Sequence, residues 1–139
     1  MQKQLSKSAR QTWITINFVS ILLIVFFFYL GRSLEKPPVF FIGGTLAAVL
    51  TIISFIKVFI QTGLWKMVHK TNTLDERQMQ VLLNALKYSY SVFVIFSLLI
   101  IYGFAVVNKE PINVLIAACL LYLAHILPAA IVGWKEKVV

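Results

Sequence analysis

Polar and hydrophobic positions in this chain separate by whole segments rather than by single residues. Four long apolar stretches, about 13–30, 39–60, 88–107 and 112–132, are divided by shorter polar ones. A helix that crosses a bilayer needs roughly 20 apolar residues, and each stretch meets or approaches that length. The third begins differently from the others. From Thr73 to Val107 the chain reads TLDERQMQVLLNALKYSYSVFVIFSLLIIYGFAVV, polar at first and then wholly apolar, with no breaker between. The pattern predicts one long helix, half in water and half in lipid.

Thr73 and Glu76 have the spacing of a capping box, with the hydroxyl accepting from the Glu76 amide and the carboxylate reaching back. Asp75 and Glu76 stand where the helix dipole favours negative charge. Beyond them Met79, Leu82, Leu83, Leu86 and Tyr90 fall on one apolar stripe, and Arg77, Gln80, Asn84, Lys87 and Ser91 fall on the opposite face. Two readings follow. The Asp-Glu-Arg run is a cap on a solvated turn, or Asp75, Glu76, Arg77, Gln80, Asn84 and Lys87 form a docking surface for a partner or for another copy of the chain.

The second stretch carries Gly43, Ala47 and Thr51 four residues apart, with Gly44 and Ala48 alongside. Small residues at this spacing let a second helix approach closely, and packing within the chain is preferred to a contact between copies. The first stretch has no such face, so much of it is expected against lipid. Pro37-Pro38 should open the second helix and Pro111 should sit in the first turn of the fourth. The second helix is expected to run past the bilayer through Trp65 toward His69. With the helix from Thr73 it would make a cytoplasmic helical hairpin, about 61–87, joined at residues 70–72. Pro128 lacks the amide that would bond the carbonyl of Ala124, so it should kink the last helix.

Composition narrows the class. Of 139 residues 60% are hydrophobic, and the four stretches take most of the length. The expectation is an all-α polytopic membrane protein, a four-transmembrane-helix bundle forming a single membrane domain over residues 1–139. The net charge of +8 would suggest nucleic acid in a soluble protein. Here topology explains it, and no nucleic-acid partner is expected. Lys3, Lys7, Arg10, Lys57, Lys66, Lys70, Arg77, Lys87, Lys135 and Lys137 flank one side of the spans, against Arg32, Lys36 and Lys109 on the other. This bias places both termini and the middle loop in the cytoplasm. Trp13, Trp65 and Trp134 fall at the same interface, where indoles are favoured. Cys119 is the lone cysteine and reads as a reduced, structural thiol. Gly31-Arg32-Ser33-Leu34 lacks an A-x-A-like cleavage site, so the first stretch reads as an anchor rather than a signal peptide.

Little in the spans could carry chemistry. The chain invites comparison with the small multidrug-resistance transporters, but those need a carboxylate within the membrane and no apolar stretch here contains one. No P-loop, H-E-x-x-H or G-x-S-x-G motif occurs, so neither an enzyme nor a cofactor is expected. At 1.5 Å per residue, Asn17, Ser20, Ser54, Lys57, Ser89, Ser91 and His125 fall in the cytoplasmic half. Asn17, Lys57, Ser91 and His125 are the candidate intramembrane polar site. Ionisable groups at such depth are functional candidates by default, although Lys57 is close enough to the interface to snorkel. His125, one turn before Pro128, is expected deep in the bundle, either packed or responsive to protons. Gly43, Gly44, Ala47, Ala48, Thr51 and Pro128 are the expected packing residues.

At Asp75-Glu76-Arg77, followed by Ala85 and then Tyr88-Ser-Tyr90, the chain resembles small four-span prokaryotic membrane proteins. These carry a cytoplasmic D-E-R helix leading directly into a span. The likeness covers about residues 73–95. It implies a plasma-membrane location and supplies neither an activity nor catalytic residues. The expected function is non-enzymatic: a module that binds, tethers or regulates a cytoplasmic partner, or self-associates, through the hairpin. The rival readings are an oligomeric pore-forming or membrane-perturbing effector and an accessory subunit of a transporter.

Overall fold

The computed structural model describes residues 4–136, so Lys3 and Lys137, two of the flanking charges, lie outside it. Among the described residues the chain is all-α. Helix α1 spans Lys7–Ser33. Helix α2 spans Pro37–Phe55 and continues as a π-helical turn over Ile56–Ile60. A short helix α3 covers Leu64–His69, and a 3-10 turn follows at Thr71–Thr73. Helix α4 spans Glu76–Gly103 and continues as a π-helical turn over Phe104–Asn108. Helix α5 spans Val114–Lys135. Four of these segments, Lys7–Ser33, Pro37–Ile60, Glu76–Asn108 and Val114–Lys135, are long and apolar enough to cross a membrane. The chain is a multi-pass membrane protein.

Several boundaries follow from local chemistry. Ser6 caps α1, its hydroxyl accepting from the Ala9 amide at 3.2 Å, so helix starts within the basic N-terminal segment and well before the apolar run. Pro37 and Pro38 occupy the first turn of α2, where a missing amide costs nothing. The expected extension of α2 to His69 is interrupted. The helix closes at Ile60, the Thr62 hydroxyl bonds the Val58 carbonyl, and Gly63 turns the chain at φ 79°. A left-handed glycine just past a helix end is the usual stop, and α3 is therefore a separate element.

The start of α4 also differs from expectation. Thr73 does not cap it. Asp75 does, accepting from the Gln78 amide at 2.7 Å while the Gln78 side chain accepts from the Asp75 amide at 3.2 Å. The capping box is real but lies two residues later, because the 3-10 turn takes Thr73, whose hydroxyl reaches the Lys70 carbonyl at 3.5 Å. Aspartate at the cap and glutamine three residues on satisfy the same two amides. At α5 the cap is Asn113, whose side-chain oxygen accepts from the Ile116 amide at 2.9 Å. Pro111 lies ahead of the helix rather than in its first turn. Helix α5 continues unbroken through Pro128.

The chain divides into two compact units, one comprising residues up to Leu64 and from Gly133 on, the other Trp65–Val132. In the first, α1 packs along α2. Its buried residues include Ile14, Val58, Phe59 and Leu64, but also polar ones. Arg10, Asn17, Ser20 and Ser54 are enclosed, whereas Leu22, Phe41, Ile42 and Leu46 are each about two-thirds exposed. Burying polar groups and displaying large apolar ones is stable where the surrounding solvent is hydrocarbon. The small residues of α2 lie on the packed side: Gly43, Gly44 and Ala47 are buried. A Cβ on Gly43 would come within 2.5 Å of the Phe27 ring of α1. The small-residue face serves this helix pair, and the bulky first span supplies the ring that fills it.

In the second unit the face that α4 buries is Leu82, Ala85 and Ser89. Of the predicted apolar stripe only Leu82 is buried and Met79 half-buried, while Leu83, Leu86 and Tyr90 are exposed. The stripe is rotated because the buried positions are chosen by size as well as by hydrophobicity: Ala85 and Ser89 sit where Leu86 and Tyr90 were expected. Along α5 the buried positions are Ile116, Leu120, Ile126, Leu127, Pro128, Ala129, Ala130, Val132 and Gly133.

Candidate functional site

Three constellations of polar groups emerge from this fold. The first is a seam between α1 and α2. The Asn17 amide donates to the Ser54 hydroxyl at 2.9 Å and to the Thr51 carbonyl at 3.2 Å. The Ser20 hydroxyl donates to the Asn17 carbonyl at 2.7 Å, and the Thr51 hydroxyl meets that of Ser20 at 2.8 Å. Asn17, Ser20 and Ser54 are fully enclosed. Thr51 and Ser54 stand on the same helix as Gly43 and Ala47, so close approach and hydrogen bonding continue each other along one line. Interhelical bonds of this kind contribute on average about 0.6 kcal/mol in a membrane. Their effect is to set the register of the two helices.

The second constellation is built on Arg10. Arg10 is 3% exposed. Nε donates to the Gly133 carbonyl at 3.1 Å, Nη1 to the Leu5 carbonyl at 3.0 Å, and Nη2 to the Glu136 carbonyl. Beside it the Gln11 amide donates to the Trp134 carbonyl at 3.2 Å. The last carbonyls of a helix have no partner within the helix, and a cation there also meets the negative end of the dipole. The planar guanidinium is suited to serve several oxygens at once. Arg10 therefore closes the C-terminal turn of α5 from the first helix. Gly133 permits the approach, since a Cβ there would lie 2.8 Å from Leu64 and 3.1 Å from Ile14. The beginning of α1 and the end of α5 consequently lie at the same end of this unit, on one side of any membrane they cross. In the sequence Arg10 counts only as one more flanking charge. The available signal was a basic residue one turn inside a Ser-capped helix, which does not announce a partner 123 residues away.

The third constellation is the segment between α2 and α4. Leu64 and Met67 are buried, and Lys66, His69 and Lys70 are exposed. The Trp65 and His69 rings stack with centroids 4.0 Å apart, and His69 Nδ1 lies 3.0 Å from the Trp65 carbonyl. On α4, Asp75, Glu76, Arg77, Gln80, Asn84 and Lys87 are all exposed. Asp75 is engaged in capping the helix.

Of the four expected intramembrane polar residues, Asn17 and Lys57 belong to the first unit and Ser91 and His125 to the second. Asn17 is absorbed into the α1–α2 seam, and Lys57 is half-buried on the π-helical turn. Ser91 and His125 are exposed, each bonded to a carbonyl one turn back on its own helix: Ser91 to Lys87 at 3.2 Å, and His125 Nδ1 to Leu121 at 2.7 Å. His125 is thus not enclosed in the bundle. The buried face of α5 passes through Ile126, Leu127, Ala129 and Ala130, and His125 lies off it. Among the described residues no group of three His, Cys, Asp or Glu could hold a metal ion. No protein-family model, curated protein or solved structure matches the chain.

Proposed function

We propose that this is a small non-enzymatic protein of a prokaryotic plasma membrane, with both ends in the cytoplasm. It acts through the segment 61–87 as a docking or regulatory module and associates with further copies of itself. The observation that carries the reading is the first part of α4. Arg77, Gln80, Asn84, Lys87 and Ser91 form a continuous exposed polar stripe on a capped helix that leads without interruption into a span. Such a helix is rigid at its base and presents amides and charges at a fixed height above the bilayer. The excess of basic residues flanking this side of the spans supports the orientation.

Photo-crosslinking in intact cells tests the reading. A crosslinking side chain at Asn84 should give discrete adducts, either with one protein or with a second copy, and these should be lost in Gln80→Arg. A crosslinker at Val106, at the other end of the same helix, should not give them. Equal adducts from both positions, or none from Asn84, would refute the docking face. A cysteine at Asn108 should react with an impermeant thiol reagent from outside, and one at Thr71 should not. Labelling of Thr71 in sealed cells would reverse the orientation.

A further inference from the structure

We propose that α3 and the residue after it bind the headgroups of anionic phospholipids through Lys66, His69 and Lys70, with Trp65 at the glycerol level. The position follows from the chain path. The second span ends at Ile60, the turn at Gly63 redirects the backbone, and α3 starts one residue later. Lys66 therefore lies six residues beyond the last residue of a membrane-crossing helix and cannot be far from the headgroup layer.

The short helix is held by one side. Leu64 is fully buried and Met67 nearly so, which turns Lys66, His69 and Lys70 outward. The Trp65 ring stacks on His69, and Lys66 and Lys70 follow these two residues directly in the chain. Indole is favoured at the membrane interface, and clustered lysines beside a span attract anionic lipid. Charge complementarity is one-sided: no acidic residue occurs between Glu35 and Asp75, while Lys36, Lys57, Lys66 and Lys70 do. An acidic protein could meet the same charges. Closeness to the end of a span and the tryptophan both favour lipid. This inference needs only that α2 crosses the membrane and does not rest on the docking face of α4.

The test uses the full chain reconstituted in mixed phosphatidylglycerol and phosphatidylcholine vesicles. In a Trp13→Phe, Trp134→Phe background, Trp65 is the remaining tryptophan. Brominating one lipid at a time then reports which lipid surrounds it. Brominated phosphatidylglycerol should quench Trp65 more strongly than brominated phosphatidylcholine at the same mole fraction. Each lysine near an anionic surface contributes roughly a fivefold preference, so Lys66→Gln with Lys70→Gln should reduce the preference by up to about twenty-fivefold. Lys66→Arg with Lys70→Arg should keep it, which separates charge from folding. Lys109→Gln, in the loop after α4, should keep it as well. Equal quenching by the two lipids, persistence in the double glutamine variant, or an equal loss in Lys109→Gln would each overturn the proposal.

Discussion

The α1–α2 pair and the membrane part of α4 are both apolar enough to cross a bilayer, yet they use their length in opposite ways. Between α1 and α2 a glycine faces an aromatic ring, and below it an asparagine, a threonine and two serines are laced together. In the most apolar 18-residue window of α4 no residue is buried. The two glycines make the contrast concrete. A Cβ on Gly43 would run into Phe27 at 2.5 Å, whereas a Cβ on Gly103 would meet nothing within 4 Å. Lipid tails are as apolar as leucine, so apolar surface alone gives helices no reason to associate. Hydrophobicity determines that a helix enters the membrane, and small or polar side chains determine what it touches there.

The largest effect is expected where the packed unit is closed by a charge. Hydrogen bonds from a charged donor are worth about 1.5–3 kcal/mol each, and Arg10 makes three to carbonyls from one planar group. Arg10→Met should therefore destabilise the protein more than a substitution at either glycine, lowering the detergent melting temperature and exposing the last turn of α5 to amide exchange. Arg10→Lys keeps the charge but cannot serve three oxygens at once, so its melting temperature should fall between those of the wild type and Arg10→Met. A melting temperature unchanged in Arg10→Met would mean that the end of α5 is held by other contacts.

Next comes the pair of glycines, for which opposite signs are expected. Gly43→Ala should cost about 1–3 kcal/mol, the usual penalty of overpacking, and Phe27→Leu should recover part of it. Gly103→Ala, with open space around it, should be neutral or stabilise the helix by about 0.5–1 kcal/mol. Equilibrium unfolding in mixed micelles reads both. Loss of stability at Gly103 would break the contrast, because it would place an unseen neighbour against α4.

Much of this fold is legible in the residues, and the exceptions share a cause. The four spans, the proline start of α2 and the small face at Gly43 rest on local composition and spacing, which survive in any environment. The capping box at α4 is legible in kind but not in register: Thr73 and Asp75 are both good caps, and the 3-10 turn that takes Thr73 leaves no trace in a pattern of apolar positions. The stop at Gly63 is hidden because apolar residues resume at Leu64 as if the helix continued. Arg10 and the burial of Ser89 in place of Tyr90 depend on partners distant in sequence or on shape, and periodicity carries neither. His125 is expected inside because ionisable residues in a span usually face the bundle interior. Its immediate neighbours Ile126 and Leu127 take the buried face instead.

A smaller and local effect separates the two possible caps of α4. None of Glu76, Arg77, Gln78 and Met79 is buried, so the first turn of this helix depends on its own devices. Asp75→Ala should cost about 0.5–2 kcal/mol and speed amide exchange over residues 76–79, whereas Thr73→Ala should leave that exchange unchanged. If Thr73→Ala proved the more damaging, the box would have to sit where the sequence pattern alone placed it.

The smallest effect is expected on the outer surface of α4, and it bears most directly on whether that surface is bare. Ile95, Leu99, Tyr102 and Val106 recur at helical spacing and are 61%, 68%, 65% and 74% exposed. They form one stripe over the apolar half of the helix. If lipid covers it, exchanging one apolar side chain for another removes no packing, and the change should stay within about 0.5 kcal/mol, as for surface positions generally. Leu99→Ala and Ile95→Ala should then leave both stability and oligomeric state untouched. If a second copy covers it, the same substitutions remove side chains from an interface, and the loss should deepen as the protein is diluted into more detergent, because stability linked to association depends on protomer concentration. Sedimentation equilibrium at several detergent-to-protein ratios separates the two. A monomer indifferent to Leu99→Ala would leave α4 as a helix solvated by lipid and would confine any self-association to other surfaces. A dimer weakened by that substitution would show that the bare span is one half of a packed pair, and that α4 differs from the α1–α2 seam only in drawing its partner from another molecule.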